Sequence, residues 1–513
     1  MIQNNVHIFI DLENLAQYIS KNIIDSDKLL IQAFFKNADE KYISSIREKL
    51  HSLLPQAHII GTSTDGAIHS ATHDFEQTVI SFTLFEKSFL KHKLFKFIPE
   101  HEEECAKQIC EQLFTDKTKV AIMFAEGIFC NAEKILKYIH NQFPNVILSG
   151  GAAGDNAALE KTYVCDSASC DSMAVVVATI ESDSLIIHND YNLSWRAIGP
   201  KMNITKGNDA TIYEIDYQPA KQIYDKYLGN SKYQKYGKEN VDVPSVGIEF
   251  PFLINRGGMP IARAAFRYFE DGSILFGGNI LEGDTLQFSV GDVQAIIQSG
   301  QEFYDKLKFK PIETIFIYSC MARRRFLEAN ITHDIAPLTK LAPISGFYGY
   351  GEFFTDDESV EFLNHTMTVL ALSEEDDTIT YNSKFDNAMD MYGSNETVNT
   401  LINLLNNMSI ENEVANSNSS IKINQECVYY FEHSELKKND TAISLTKKEK
   451  QLLDLLLEER KQIVSFETIE YELWPDKQVS PTTRRTLIHR LREKVGGDTI
   501  KTIKDVGCKL DIE

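Results

Sequence analysis

Near the C-terminus, Thr482, Thr483, Arg484, Arg485, Thr486, His489, Arg490, Arg492 and Lys494 are interleaved with Leu487, Ile488, Leu491 and Val495 at helical spacing. Hydroxyl, imidazole and guanidinium groups in one row suit two chemistries, hydrogen bonding to base edges and neutralisation of phosphates. The charge distribution favours both. Residues 477–509 hold nine basic and three acidic side chains, a local +6 on a chain whose net charge is −22. Residues 1–420 carry 35 basic against 57 acidic side chains, so an acidic body would repel DNA and confine contact to the basic end.

Helical geometry sorts this row by face. At about 100° per residue from Ile488, Leu487, Leu491, Val495 and Arg484 gather between about 260° and 340°. Thr482, Thr483, Thr486, His489 and Arg490 lie between about 100° and 220°, the side that can enter a major groove. Arg485 and Arg492 flank that face and, with Lys494, Lys501 and Lys504, suit phosphates. Arg484 falls on the apolar side and is expected to run outward along its methylenes rather than read a base.

A second group could hold a small molecule. In Ser319-Cys320-Met321-Ala322-Arg323-Arg324-Arg325 the three guanidiniums favour a Cys320 thiolate, and Arg323 has the fork geometry for a ligand carboxylate. Two glycine turns, Gly61-Thr62-Ser63-Thr64-Asp65-Gly66 and Gly150-Gly151-Ala152-Ala153-Gly154-Asp155-Asn156, allow positive φ and exposed backbone amides, which suit an anion. Neither fits GxxxxGK[ST] or GxGxxG, and with no GxSxG or HExxH an enzyme reading rests on Cys320 alone. No catalytic role is expected. The eight cysteines contain no CxxC pair; Cys165 and Cys170 lack a second pair at ligand spacing, and His69 and His73 make a weak metal pair, so no metal is expected.

These groups need elements to position them. The first 200 residues alternate apolar strands (7–10, 29–35, 58–61, 78–85, 120–124, 145–148) with amphipathic helices (40–54, 102–114, 132–143), which favours mixed α/β sheets. Residues 241–293 are strand-rich, a helix spans 292–306, and strands at 314–318 and 360–372 bracket the aromatic turn Gly346-Phe347-Tyr348-Gly349-Tyr350-Gly351-Glu352. Residues 376–420 form a linker in which Val398, Leu401, Leu405 and Met408 give a short helix one apolar stripe. Beyond it come an antiparallel pair (426–431, 441–445), a helix from Thr446, another from Ser465 to near Trp474, the basic helix 482–495 and a two-stranded wing, 499–504 and 508–512. The expected build is multidomain, with an α/β module of mixed sheets in two parts (1–240 and 241–375), the linker, and an α+β winged helix (421–513). No run of 18 apolar residues occurs and the N-terminus lacks the plan of a signal peptide, so a cytoplasmic protein without membrane contact is expected.

Two family resemblances follow from these residues. Ile59 to Gly66, Gly150 to Asp155, Tyr318 to Arg323 and Gly346 to Glu352 are similar to four ordered motifs of the FIST sensory module, over about residues 20–375. Thr62 stands where many relatives have Cys. The resemblance implies a small-molecule sensor, for amino acids or similar ligands, with Ser63, Gly151, Asp155, Cys320, Arg323, Tyr348 and Glu352 as candidate ligand residues. Some members bind haem, although no CxxCH spacing is present here. Residues 422–513 resemble the OmpR/PhoB-type winged helix, closely from Val479 to Val495 and from Ile500 to Leu510. Arg484 and Asp505 depart from that pattern, the latter replacing a wing-tip glycine. Together the resemblances imply a one-component transcription regulator that binds DNA as a homodimer on paired half-sites, with no phosphoacceptor domain. The alternative is an adaptor acting on a histidine kinase or cyclase, with the winged helix as a docking module.

Overall fold

Leu29–Phe35, Thr118–Ala125 and Thr314–Cys320 are strands buried along nearly their whole length. Both faces are covered, which is why they read as continuous apolar runs. In the computed structural model Leu30 and Phe34, Val120, Ile122 and Phe124, and Phe316 and Tyr318 point into one shared central core. The alternate residues face helices: Ile31 and Ala33 pack in one cluster, Ala121 and Met123 in a second, Ile315 and Ile317 in a third. Period-2 alternation thus divides each strand between a central core and an outer helix layer.

Each strand is the centre of the same motif. It pairs in parallel with the next long strand (His58–Ser63, Ile147–Ala152, Ile344–Gly349). On its other side it pairs antiparallel with a closing strand (Val79–Leu84, Ala174–Glu181, Met367–Ser373). The closing strand in turn pairs with an opening strand (Gln3–Ile8, Phe89–Lys96, Ile186–Asn192). Three such repeats are interlocked by cyclic strand exchange. The first receives Val164–Asp166 from the second, the second receives Gly351–Thr355 from the third, and the third receives Ala67–Ile68 from the first. The body therefore has N-terminal and C-terminal strands in common sheets.

The third repeat carries an insert, Trp195–Gly291, whose eight-stranded sheet shares no ladder with the repeats among the described residues. Its own core gathers around Tyr224, with Phe252 and Phe288 at ring-centroid distances of 5.0 and 5.2 Å. The strand expected over 360–372 is two, Val360–Leu363 and Met367–Ser373, in different sheets, broken where His365 takes φ 61°.

The structure describes residues 1–69, 76–229, 233–236, 241–244, 249–256, 258–327, 331–356, 359–376, 420–430, 435–439, 441–458, 464–474, 479–496, 499–503 and 507–510. Two units are present, Met1–Leu404 and Leu405–Glu513. The expected linker helix, Lys504, Asp505 and His73 lie outside the described residues.

In the second unit a four-stranded antiparallel sheet (Ser420–Lys422, Cys427–Tyr430, Glu435–Lys438, Thr441–Ile443) precedes three helices, Lys447–Glu458, Phe466–Leu473 and Pro481–Val495. Val464–Ser465 then pairs with the wing strands Gly507–Leu510 and Ile500–Ile503. Each helix start has a sequence cause. Thr446 and Glu449 form a reciprocal capping box, Thr446 N–H to Glu449 Oε2 at 2.8 Å and Glu449 N–H to Thr446 Oγ1 at 3.4 Å. Ser465 accepts from Thr468 N–H, and Ser480 accepts from Thr483 N–H ahead of Pro481.

Candidate nucleic-acid interface and sensor junction

The helix Pro481–Val495 buries Leu487, Ile488, Leu491 and Val495 in the core of the second unit. Thr482, Thr483, Arg485, Thr486, His489 and Arg490 are exposed. This amphipathic division leaves one polar face, fixed at its N-terminal end by the Ser480 cap, where hydroxyls, an imidazole and guanidiniums stand together. Thr483 Oγ1 lies 3.0 Å from Ser480 Oγ, and Thr486 donates to Thr482 O at 2.9 Å, so both hydroxyls keep acceptor capacity outward.

The flanking cations divide. Lys501 is exposed on the wing. Arg492 donates to Ile500 O at 2.8 Å and Thr502 Oγ1 at 2.6 Å, which ties the helix to the wing. Lys494 pairs with Glu449 at 2.7 Å and donates to Ser444 O at 2.8 Å, so its charge is committed inside the domain. Arg484 does not run out to water. It stacks 3.9 Å from the Phe466 ring centroid and pairs with Glu470 on the neighbouring helix, which keeps it off the outer face.

In the first unit the ends of the three parallel strands converge. Tyr348 O accepts from Asp65 N–H and Tyr348 N–H donates to Gly66 O, both at 2.8 Å; Gly154 N–H reaches Ser63 O and Tyr350 N–H reaches Ala152 O, both at 3.0 Å. The seven candidate ligand residues lie on or beside these strand ends, but the hydrogen bonds of Ser63, Asp155, Arg323 and Glu352 go to other residues of the body, and Glu352 Oε1 is buried without a partner. Ser63 Oγ accepts from Tyr163 N–H at 3.0 Å. Asp155 accepts from Leu159, Glu160 and Lys161 N–H at 2.9, 2.8 and 3.0 Å and from the Tyr350 hydroxyl. It thereby holds a turn in which Asn156, Ala157 and Leu159 all have positive φ. A Cβ on Gly151 would lie 2.7 Å from Gly351 O, so the glycine there permits exchanged strands to approach rather than cradling an anion. Tyr348 is buried in the outer core of the third repeat.

The structure reverses the expected chemistry at Cys320. Arg323 is fully buried and forms its bidentate pair with Asp334, Nε to Oδ2 at 2.7 Å and Nη2 to Oδ1 at 3.0 Å. Nη1 adds Asn192 Oδ1 at 3.1 Å, and Nη2 adds Ser299 Oγ at 3.0 Å. Arg324 and Arg325 turn to Asp65, at 3.4 and 3.5 Å. Cys320 is left in the core with Glu352 as its charged neighbour, and burial first, then that carboxylate, push the thiol well above its usual range. Burial likewise raises the Glu352 carboxyl, against the Thr366 hydroxyl and N–H that it accepts at 2.6 and 3.3 Å. The thiol is therefore kept protonated.

Asp65 with Arg324, Arg325 and Asn156 is the polar group that sequence reasoning missed here; Arg325 also donates to Asn156 O at 3.2 Å. Burial raises the Asp65 carboxyl in spite of the two arginines. Its signal was the acidic residue inside the first glycine turn. Cys165 and Cys170 face each other across antiparallel strands as free thiols, and no cluster of three metal-ligating side chains occurs among the described residues. Among those residues no helix is long and apolar enough to cross a membrane.

An α/β sensor-type body joined to a winged helix with a basic outer face defines a regulator with a sensory part and a DNA-binding part. The FIST N domain family matches residues 29–218, the FIST C domain family residues 220–355, and the family described as transcriptional regulatory protein, C terminal, residues 440–510. The chain thus carries FIST N and FIST C domains followed by an OmpR/PhoB-type C-terminal domain; none of the three matched families is a catalytic one.

Among solved structures it is similar to the C-terminal domain of the nisin resistance regulator NsrR, a lantibiotic response regulator, at 34% identity, covering 15% of this chain and 82% of that one (TM-score 0.14). It is also similar to the DNA-binding domain of Bacillus subtilis CssR, at 25% identity over 18% and 100% (TM-score 0.15). A third is the Klebsiella pneumoniae RstA DNA-binding domain in complex with the RstA box, at 15% identity over 18% and 96% (TM-score 0.16). No curated protein matches the chain.

Proposed function

We propose that this protein is a one-component transcription regulator, in which the FIST body senses a small molecule and thereby controls sequence-specific DNA binding by the winged helix as a homodimer. The observation that carries the reading is the outer face of the basic helix. Thr482, Thr483, Thr486, His489 and Arg490 are exposed together on a capped helix whose opposite face is core. Those side chains suit base edges in a major groove, while Arg485 and Lys501 suit phosphates; Arg492 and Lys494 hold the helix to the wing and to the first helix.

A salt-dependent gel shift with genomic fragments tests it. Wild-type protein should select particular fragments, and Thr483→Ala/Arg490→Ala should lose the selection while keeping weak, salt-sensitive binding. Equal, weak binding of every fragment by both proteins would remove the regulator reading.

A further inference from the structure

Between the second repeat and the insert lies a cleft of about 310 Å³, at the small end of the range for ligand sites. On the body side it is lined where the helices Glu102–Leu113 and Ala132–Gln142 begin, and on the insert side by Asn208–Thr211 and Leu275–Asn279. The amides at the second helix start are already answered from within the protein. Glu126 accepts from Ile128, Phe129 and Cys130 N–H at 3.0, 2.6 and 3.1 Å, and Glu102 Oε1 accepts from Asn131 N–H at 3.3 Å. Glu133 is occupied by Lys137, Arg256, Arg263 and Asn279 N–H. An anion would find these donors taken.

A buried acceptor there is unmatched. Glu102 lines the cleft at 2% exposure, and its Oε2 is buried without a hydrogen-bond partner. A buried carboxylate oxygen left unmatched is costly, so a donor entering the cleft would gain more there than from a solvated acid. The remaining character is aromatic: Phe129, 51% exposed, with Phe266, Phe276 and Phe362. The charged lining residues are Glu100, Glu102, Glu133 and Asp209 against Lys134, which itself pairs with Asp209 at 2.9 Å. A spare carboxylate oxygen among phenyl rings is the chemistry that recognises an organic cation.

We propose that this cleft binds a small organic ammonium ion with a ring or compact apolar body, the ammonium donating to Glu102 Oε2 and the body lying among the phenyl rings. The inference rests on the sensing reading above and gives it a site and a ligand class. The cleft draws its walls from both matched FIST halves, and among the described residues the insert sheet shares no ladder with the repeats. A bound cation would therefore bridge two parts of the body that are joined through side chains and connecting chain rather than a common sheet.

The test is calorimetric titration of the full chain with phenethylammonium, using 2-phenylethanol and 3-phenylpropionate as neutral and anionic counterparts. Saturable binding of the ammonium alone is expected, weakened at least tenfold by Glu102→Gln, whose amide oxygen can still accept from Asn131 N–H. Phe129→Ala, at the exposed lip, should weaken it too without lowering the melting temperature. Absence of saturable binding, equal binding of all three probes, or unchanged affinity in both variants overturns the proposal. DNA binding is measured separately: if it persists without ammonium binding, the cleft proposal falls and the regulator stands, whereas ammonium binding without DNA binding supports the cleft and removes the regulator.

Discussion

Replacing Arg323 by Ala should cost stability rather than ligand affinity. Its guanidinium is fully buried, with two bonds to Asp334, one to Asn192 Oδ1 and one to Ser299. Removal leaves Asp334, itself fully buried, with the Ser299 hydroxyl at 2.8 Å in place of a countercharge. Breaking a buried pair on one side costs about 3–5 kcal/mol. For a unit of this size, with a urea dependence of about 3 kcal/mol per M or more, the unfolding midpoint should fall by about 1 M. Trp195, at 6% exposure and packed on Phe326 at 5.5 Å, reports that unit by fluorescence. The double change Arg323→Met/Asp334→Leu removes both charges and should recover most of the loss. If Arg323→Ala leaves the midpoint in place and instead abolishes a response to a carboxylate ligand, the guanidinium is a ligand anchor and the structural assignment is wrong.

Further outcomes follow from the same geometry. Arg490→Ala should weaken binding to the selected DNA site by about 1–3 kcal/mol and relax its sequence preference, whereas Lys501→Ala should lower the slope of log affinity against log salt by about 1 at every sequence; titrations at several salt concentrations separate the two. Gly346→Ala should abolish soluble expression, because a Cβ there would sit 1.7 Å from Ile317 O inside the central sheet of the third repeat. His58 and His92 meet Nδ1 to Nδ1 at 2.8 Å, and burial, then His58, hold the His92 imidazole down to about 4. Its folded value lies below the unfolded one, so stability is complete above about pH 6.5 and is lost as pH falls toward 4. Urea midpoints measured across that window should decline in the wild type and less steeply in His92→Gln; a parallel decline would assign the effect to other groups.

The winged helix was legible because its signals are local. Ser465, Ser480 with Pro481, and the Thr446–Glu449 box each mark a helix start within four residues, and the 100° periodicity placed Leu487, Ile488, Leu491 and Val495 inside before any tertiary contact was known. What periodicity could not assign was the partner of each cation. Lys494 finds Glu449 45 residues away and Arg484 finds Glu470 14 away, so a helical wheel credits them with charge that the fold has already used.

The long strands of the body were legible for the same reason as the helices, and the strand exchange was not. Ala67–Ile68 and Val164–Asp166 are too short to carry any alternation, and each pairs with a repeat other than its own. Their trace in the sequence is indirect, in the small residues that let backbones pass. A glycine cluster at a strand end admits two physical causes, an amide cradle for an anion or the absence of room for a Cβ, and sequence alone does not separate them. At Gly151 the second cause holds, since the space its side chain would need is taken by Gly351 O. A motif assembled for chain crossing thus resembles one assembled for a ligand. Glu102 Oε2, the unmatched oxygen that lines the cleft, lies outside every motif, at a helix start where an acidic residue is what the dipole would select in any case.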